Sequence, residues 1–257
     1  MDYQRMHHDE IDREAWDRPP RETPPARRVV ICSTPRSGSY LLCRQMIHAG
    51  LGVPTEYFRA RTLARLSARW GVRRGDDSAY LDALEARRTS ANGVFAAKFQ
   101  WFQLVHHRIA RDRLIDRADL LIHLTRRDVV AQAVSWQVSL ATGFWSFDAT
   151  PGRRAPDMTL DDSDETQRLA SLLVDQDRGW ETLLAKTRGP VLRVTYEAYK
   201  GDQEALLRQI AGELGLPAEA WTLPPPEPGT SRLPDDIEVA RERLLVRARA
   251  AHAAAGR

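Results

Sequence analysis

Lysine is scarce in this chain. Of its 38 basic residues, three are lysines (Lys98, Lys186 and Lys200) and the other 35 are arginines. A Walker-type phosphate loop, GxxxxGK[ST], needs a lysine directly after its second glycine, and the chain has no such sequence. It also lacks the GxGxxG sequence of dinucleotide-binding proteins. Both of these nucleotide-binding loops are therefore excluded.

Cysteine and long apolar runs are also scarce. The two cysteines, Cys32 and Cys43, have no CxxC spacing, so we expect reduced core residues. The histidines show no metal-ligand spacing, which predicts no metal site. No apolar run approaches the roughly 18 residues of a membrane span, and the charged start MDYQRMHHDEIDREAW is unlike a signal peptide. These absences predict a cytoplasmic protein without a membrane span.

The length of 257 residues suits one domain with extensions. We predict a flexible extension over residues 1–27, a main domain over 28–222, and a Pro-rich segment with a last helix over 223–257. The net charge of +3 is spread along the chain. Such a charge is weak evidence for nucleic acid, so none is expected as a partner, but it suits a polyanionic small molecule.

Residues 28–50 are predicted to form a strand, a tight turn and a helix. The β-branched run at 29–31 is typical of a buried strand, and the turn formers STPRSGS follow at 33–39. A turn that leads into a helix offers free backbone N–H groups to a phosphate or sulfate. Arg36 adds guanidinium donors. An anion site and an ordinary strand–helix turn are both open on this spacing.

Three further strands are predicted near residues 94–99, 119–125 and 191–195, with helical spacing between them. Strands that alternate with helices form a parallel sheet covered on both faces. The predicted fold is therefore α/β, a three-layer P-loop-like fold with a central parallel sheet flanked by helices. Ligands bind such sheets at the carboxyl ends of the strands.

The segment TPRSGSYLL, residues 34–42, resembles the 5′-phosphosulfate-binding loop of sulfotransferases. From about Val29 to about Tyr199 the chain resembles the Stf0 family, whose enzymes use 3′-phosphoadenosine-5′-phosphosulfate (PAPS). The resemblance implies that PAPS is the sulfuryl donor, that no metal is needed, and that the protein is a homodimer. It also implies that the loop residues bind PAPS, namely Thr34, Pro35, Arg36, Ser37, Gly38, Ser39 and Tyr40. Arg36 is expected to act in catalysis as well.

Glu56 lies in a Pro-containing irregular segment and is followed by Tyr57 and Phe58. Taken alone, a loop glutamate is most simply a solvated charge. In the Stf0 family a Glu followed by two aromatics serves as general base, so the resemblance assigns this role to Glu56. Tyr57 and Phe58 are then expected beside the acceptor. Val53 replaces a second Glu of the family pattern, which favours a different acceptor.

Arg126 ends the third strand, and Ser135 follows nine residues later in a predicted helix. By itself this is a strand-end charge cluster with Asp128 as a helix N-cap. In sulfotransferases an Arg and a Ser at this spacing hold the 3′-phosphate of PAPS, which the resemblance implies here. Lys98 and Trp101 match another family segment and are expected near the site.

Trp145 lies in a predicted long loop over residues 142–163. Its ring either faces a sugar or anchors the loop.

The predicted function is transfer of a sulfuryl group from PAPS to a hydroxyl of a carbohydrate or glycolipid-type acceptor. Two alternatives stay open: a P-loop phosphotransferase, and a non-catalytic protein that binds anions or sulfated glycans. The missing Walker lysine counts against the first. The presence of Glu56 together with the Arg126/Ser135 pair counts against the second.

Overall fold

The computed structural model describes residues 14–145, 159–224 and 233–255. Its centre is a four-stranded, fully parallel sheet with strand order β2-β1-β3-β4. The strands are β1 (Arg27–Ser33), β2 (Val94–Gln100), β3 (Leu120–Thr125) and β4 (Val191–Thr195). This confirms the predicted α/β fold with its central parallel sheet flanked by helices, and each predicted strand is present.

The helices connect the strands and cover the sheet. They are α1 (Ser39–Ala49), α2 (Ala60–Arg69), α3 (Asp77–Arg88), the short α4 (Trp101–Leu104), α5 (Arg108–Ala110), α6 (Val129–Thr142), α7 (Ser163–Leu184), α8 (Tyr196–Gly201), α9 (Gln203–Glu213) and α10 (Asp235–Ala255). α5 continues as a π-helical turn over Arg111–Ile115. Asp128 caps α6, as its position predicts, by accepting a hydrogen bond from the backbone N–H of Ala131.

The sheet has a separate hydrophobic core on each face, because side chains alternate along every strand. Val29 and Ile31 of β1 point into a core shared with α1 and α9. Val30 and Cys32 point into the other core, with α3 and α7. Each strand of the central β1–β3 pair is therefore covered on both sides, which explains its continuous apolar sequence.

The carboxyl ends of the strands meet at one edge of the sheet. Ser33 at the end of β1 pairs with Gln100 of β2 and with Leu124 of β3, and Thr125 pairs with Thr195 of β4. The loop of residues 34–38, which is predicted to bind an anion and is called the anion loop below, follows Ser33. It therefore lies at the same edge as Arg126, which follows β3. This edge is where an open parallel sheet binds its ligands.

Residues 14–26, which belong to the predicted flexible extension, contact the main domain. Asp17 forms an ion pair at 2.7 Å with the fully buried Arg88. Asp17 also accepts a hydrogen bond from the indole N–H of Trp70 at 2.7 Å. Backbone hydrogen bonds from Arg18 and Arg21 to α3 continue the attachment. Residues 1–13 lie outside the described ranges.

The last helix also belongs to the body of the molecule. Leu244 and Ala248 of α10 are buried against Val130, Val134 and Val138 of α6. Packing of an apolar stripe, and not local propensity, is what holds such a charged helix in place. Within the described residues, no helix combines the length and apolarity needed to cross a bilayer.

Candidate active site

The loop between β1 and α1 has an unusual backbone. Arg36 adopts φ 62°, the one non-glycine residue with positive φ in the described chain, and Gly38 adopts φ 82°. A Cβ added to Gly38 would lie 2.3 Å from the Tyr196 ring, so this position needs glycine for both its conformation and its space. Gly38 is the N-cap of α1 and has no side chain to cap the helix. The first N–H groups of α1 are thus left for an anion.

Residues from distant elements hold the loop in place. The amide nitrogen of Gln132 on α6 donates to Thr34 Oγ1 at 2.9 Å and to the Pro35 carbonyl at 2.7 Å. The indole N–H of Trp180 on α7 donates to the Ser33 carbonyl at 2.9 Å. Gln132 is 3% exposed and Trp180 fully buried, so these contacts are protected from water. The loop is therefore rigidly attached to both α6 and α7.

Arg36, Arg126 and Ser135 come together at this edge. The Arg36 Nε donates to Ser135 Oγ at 2.9 Å, and its terminal nitrogen donates to the Trp145 carbonyl. Arg126 donates to the Arg36 carbonyl at 3.4 Å, and its guanidinium lies 5.0 Å from the centre of the Tyr196 ring. The structure thus brings two guanidinium groups to one end of the loop.

These two guanidinium groups form no ion pair with a carboxylate of residues 14–145, 159–224 or 233–255. Burial, together with the nearby charge of Arg126, lowers the pKa of Arg36 to about 10. Burial also lowers the pKa of Arg126. Nearby Glu197 and Asp128 oppose this effect at Arg126, but burial outweighs them. Burial thus disfavours the charged form of both residues, and a bound anion would stabilise it.

Two buried polar atoms of the site also lack a partner. The Ser37 hydroxyl and the Nε of Arg126 make no hydrogen bond with any described residue. Buried polar atoms in native proteins are normally hydrogen-bonded, since an unsatisfied one is costly. Uncapped helix N–H groups, two guanidiniums and two unpartnered polar atoms together fit a phosphate- or sulfate-bearing ligand.

Glu56 lies in a second polar cluster, next to the start of α1. Its Oε1 forms an ion pair with Lys98 Nζ at 2.7 Å, and its Oε2 accepts a hydrogen bond from the amide nitrogen of Gln103 at 2.6 Å. Lys98 is 2% exposed and also lies 3.5 Å from Ser39 Oγ, at the first residue of α1. The Lys98 ammonium therefore connects the candidate base to the anion loop.

The amide of Gln100 lies between Glu56 and the loop. In one amide orientation its nitrogen is 3.4 Å from Glu56 Oε1, and in the other it donates to the Ser33 and Thr34 carbonyls. Cys43 of α1 is close enough for the charges of Lys98 and Glu56 to act on it, although burial is the main cause that raises the pKa of its thiol to about 12. Both amide orientations keep Gln100 at the junction of the two clusters.

The aromatic residues expected beside the acceptor, Tyr57 and Phe58, are buried. Tyr57 is fully buried with its hydroxyl donating to the Val53 carbonyl at 2.6 Å, and Phe58 is stacked on Phe99. These side chains support the segment that carries Glu56 and are not open to an acceptor. Trp101 packs edge-on against the buried Trp180, with ring centres 5.3 Å apart.

Trp145 is 37% exposed, and its carbonyl, which accepts from Arg36, contacts the site. Residues 146–158, most of the predicted long loop, lie outside the described ranges.

Three residues of the site were not assigned from the sequence: Gln103, Gln132 and Tyr196. The two glutamines make their contacts across 47 and 97–98 residues of chain, and no local motif reports such pairs. Tyr196 had a signal, since it directly follows β4 at the ligand-binding edge. Burial raises the pKa of Tyr196.

The protein thus has a parallel α/β sheet with a cationic, uncapped loop at its carboxyl edge, an arrangement suited to an anionic ligand. The family model for Stf0 sulphotransferase matches residues 28–240. The chain belongs to this family. The match includes the anion loop, Glu56, and the Arg126/Ser135 pair, and it extends into α10.

Two individual proteins illustrate the similarity. A trehalose 2-sulfotransferase from Mycobacterium tuberculosis (strain ATCC 35801 / TMC 107 / Erdman) is 26% identical over an alignment of 227 residues, covering 74% of this chain and 84% of that protein. Among solved structures, the sulfotransferase domain from the Synechococcus PCC 7002 olefin synthase is 19% identical. The superposition covers 89% of this chain and 96% of the olefin synthase domain, with a TM-score of 0.47.

Proposed function

We propose that this sulfotransferase moves the sulfuryl group of PAPS to a hydroxyl of a carbohydrate-type acceptor, with Glu56 as general base. The observation that carries the proposal is the position of Lys98, which contacts both the Glu56 carboxylate and the first residue of α1. Sulfuryl transfer needs a base for the acceptor and a binding loop for the donor. Here one buried cation, Lys98, contacts the candidate for each.

The donor half uses the loop and the two guanidiniums. PAPS carries its sulfuryl group on the 5′-phosphate. Transfer forms an S–O bond to the acceptor hydroxyl and breaks the S–O bond to the bridging oxygen, which leaves with 3′-phosphoadenosine 5′-phosphate. The N–H groups at residues 37–40 and Arg36 are proposed to hold the 5′-phosphosulfate, where they would stabilise the negative charge of the departing oxygen. Arg126 and Ser135 are proposed to hold the 3′-phosphate. The unpartnered Nε of Arg126 and hydroxyl of Ser37 are donors that such a ligand would satisfy.

The acceptor half uses Glu56. Its carboxylate would take the proton from the acceptor hydroxyl as the oxygen attacks, a role worth about 10²–10⁴-fold in rate. A cation at the distance of Lys98 favours the ionised form of a carboxylate, and only this form can accept a proton. The remaining work is positioning, since transfers of this kind have loose transition states with little covalent chemistry for the protein to do.

The acceptor class is proposed from the relative whose name specifies trehalose. Identity of 26% supports a carbohydrate more than it supports that one sugar. Trehalose is therefore the first acceptor to test, followed by other sugars and glycolipids. The homodimer implied by the family resemblance stays a prediction.

Two measurements test this function. Thermal unfolding with 3′-phosphoadenosine 5′-phosphate should give a higher melting temperature than with AMP at equal concentration, since a ligand that binds only the native state stabilises it. Transfer from [³⁵S]PAPS should then be measured with trehalose, with other sugars and with a cell extract, each in the presence of EDTA. Equal stabilisation by both nucleotides would contradict the proposed 3′-phosphate site. Transfer of ³²P from [γ-³²P]ATP with Mg²⁺, without transfer of ³⁵S from PAPS, would favour a phosphotransferase. Nucleotide binding without transfer of either label would favour an anion-binding protein.

A further inference from the structure

Gln103 is fixed by the fold in one amide orientation. It lies on α4, directly after β2, and is 5% exposed. Its amide oxygen accepts a hydrogen bond from the backbone N–H of Gln100 at 3.1 Å, as part of a reciprocal capping box. An amide whose oxygen is committed in this way must direct its nitrogen to the other side. That nitrogen lies 2.6 Å from Glu56 Oε2.

A helix cap alone needs only the amide oxygen, so the contact of the nitrogen with Glu56 is an additional feature. Lys98 from β2 contacts Oε1 and Gln103 from α4 contacts Oε2, so two elements hold the two oxygens of the carboxylate. Rotation of the carboxylate group would break both contacts. A hydrogen bond donated to a carboxylate also favours its charged form.

We infer that Gln103 is a positioning residue for Glu56, one that orients the carboxylate and keeps it ionised so that it can accept the acceptor's proton. The inference rests on the proposed role of Glu56 as general base. Of the titratable groups around the carboxylate, Lys98 faces it from β2, and the Cys43 thiol of α1 interacts with it over a longer distance. Gln103 acts on Glu56 without carrying a charge, so it can be changed with no net loss of charge in the cluster.

The sharpest variant is Gln103→Glu. It keeps the shape of the side chain and an oxygen for the N–H of Gln100, but it replaces the donor facing Glu56 with a carboxylate oxygen. Two carboxylates that share a site raise the proton affinity of one of them. Gln103→Met is the second variant, because it removes the donor and adds no charge. Gln137→Met is the matched control. Gln137 is a fully buried glutamine of α6 whose amide contacts Thr159, Asp162 and Thr166 instead.

The direct readout is the titration of Glu56 by ¹³C NMR of protein labelled at the glutamate carboxyl carbon, with the signal assigned from its loss in Glu56→Gln. This measurement needs no acceptor. We expect the midpoint of the Glu56 titration to move up by about one to two pH units in Gln103→Met, the shift that loss of one hydrogen bond to a charged group would give. A larger shift is expected in Gln103→Glu, and none in Gln137→Met. The affinity for 3′-phosphoadenosine 5′-phosphate should stay within a few-fold of wild type.

An unchanged Glu56 titration in both Gln103 variants would overturn the inference and leave the proposed function standing. The same would follow if Gln103→Met and Gln137→Met moved the titration equally, since the effect would then be general loss of packing. If Glu56→Gln itself transfers sulfuryl groups from PAPS at the wild-type rate, the general-base role of Glu56 in the proposed function fails and the role of Gln103 fails with it. The two failures are thus distinguished by separate measurements.

Discussion

Removal of the Asp17 carboxylate should strongly destabilise the fold, although the residue lies ten positions before the first strand. Its partner Arg88 is fully buried and lies against two rings, with the guanidinium carbon 5.9 Å from the Tyr57 ring centre and 5.8 Å from that of Trp70. Asp17→Ala leaves this charge without its 2.7 Å ion-pair partner. It also leaves the indole N–H of Trp70 without its acceptor.

The expected cost follows from these contacts. Breaking a buried ion pair by removing one partner costs about 3–5 kcal/mol, and an unsatisfied buried donor costs about 1–3 kcal/mol. The two effects share one carboxylate and do not simply add, so we expect a loss of about 4 kcal/mol. The total free energy of unfolding of a native protein is about 5–15 kcal/mol. The urea midpoint should fall by about 1.3 M if the denaturant slope is about 3 kcal/mol/M.

Two controls separate loss of this buried ion pair from other effects. In Asp17→Ala/Arg88→Met both charges of this pair are removed, so the double variant should be more stable than Asp17→Ala alone. Asp175→Ala removes one member of an exposed ion pair, whose side chains are 71% and 76% exposed, and should change the free energy of unfolding by less than about 0.5 kcal/mol. A loss below about 1 kcal/mol in Asp17→Ala would refute the reasoning, because it would mean that the burial of Arg88 does not depend on its ion pair with Asp17.

The remaining predictions concern the site and two titratable groups. Arg126→Ala should weaken PAPS binding by about 2 kcal/mol, roughly 30-fold in Kd, while Arg127→Ala should have little effect; equal Kd values for Arg126→Ala and wild type at matched salt would show that Arg126 does not contact the donor. Burial raises the pKa of both Cys32 and Cys43, so neither thiol should react with Ellman's reagent at pH 8 until guanidinium unfolds the chain, and fast reaction in the native state would contradict their burial. Burial, helped by a neighbouring arginine, lowers the pKa of His48, so the unfolded state gains a proton first as the pH falls below about 6.5 and stability is lost there. His48→Gln should lose less stability than wild type between pH 7.5 and pH 5.5, and an equal loss would exclude this cause.

The order of elements could be predicted because it depends on local sequence. A β-branched run beside turn formers predicts β1, and Asp128 just before an apolar helical stretch predicts the cap of α6. The resemblance identified Arg36, Glu56 and Arg126 because each lies in a motif that is continuous in sequence. Local sequence therefore specified the elements and the motif residues.

The contacts between these motifs could not be predicted. Gln103 reaches Glu56 across 47 positions, and no local pattern distinguishes it from any other buried glutamine. The positive φ of Arg36 was equally hidden, because an arginine has no intrinsic preference for that conformation. Asp17 lies in a polar, Pro-bearing stretch whose composition is that of an extension, and only tertiary structure reveals the buried Arg88 beside it. Features that depend on long-range pairing thus required the structure.

The central claim is that Glu56 accepts the proton of the acceptor, and Glu56→Gln tests it most directly. The substitution keeps the shape and the hydrogen-bonding capacity of the side chain but cannot take up a proton. Sulfuryl transfer from PAPS and PAPS affinity should be measured on the same preparation, with the acceptor that supports turnover. Glu85→Gln is the control, because Glu85 of α3 is also a buried glutamate paired with a cation, but its partner at 2.9 Å is Arg28 at the start of β1, the end of the strand opposite the loop.

The account predicts that transfer by Glu56→Gln falls by about 10²-fold or more while PAPS affinity stays within a few-fold, and that Glu85→Gln keeps its transfer rate. Transfer by Glu56→Gln near the wild-type rate would contradict the account. A collapse of PAPS binding together with activity would contradict it as well, because the role of Glu56 would then be structural.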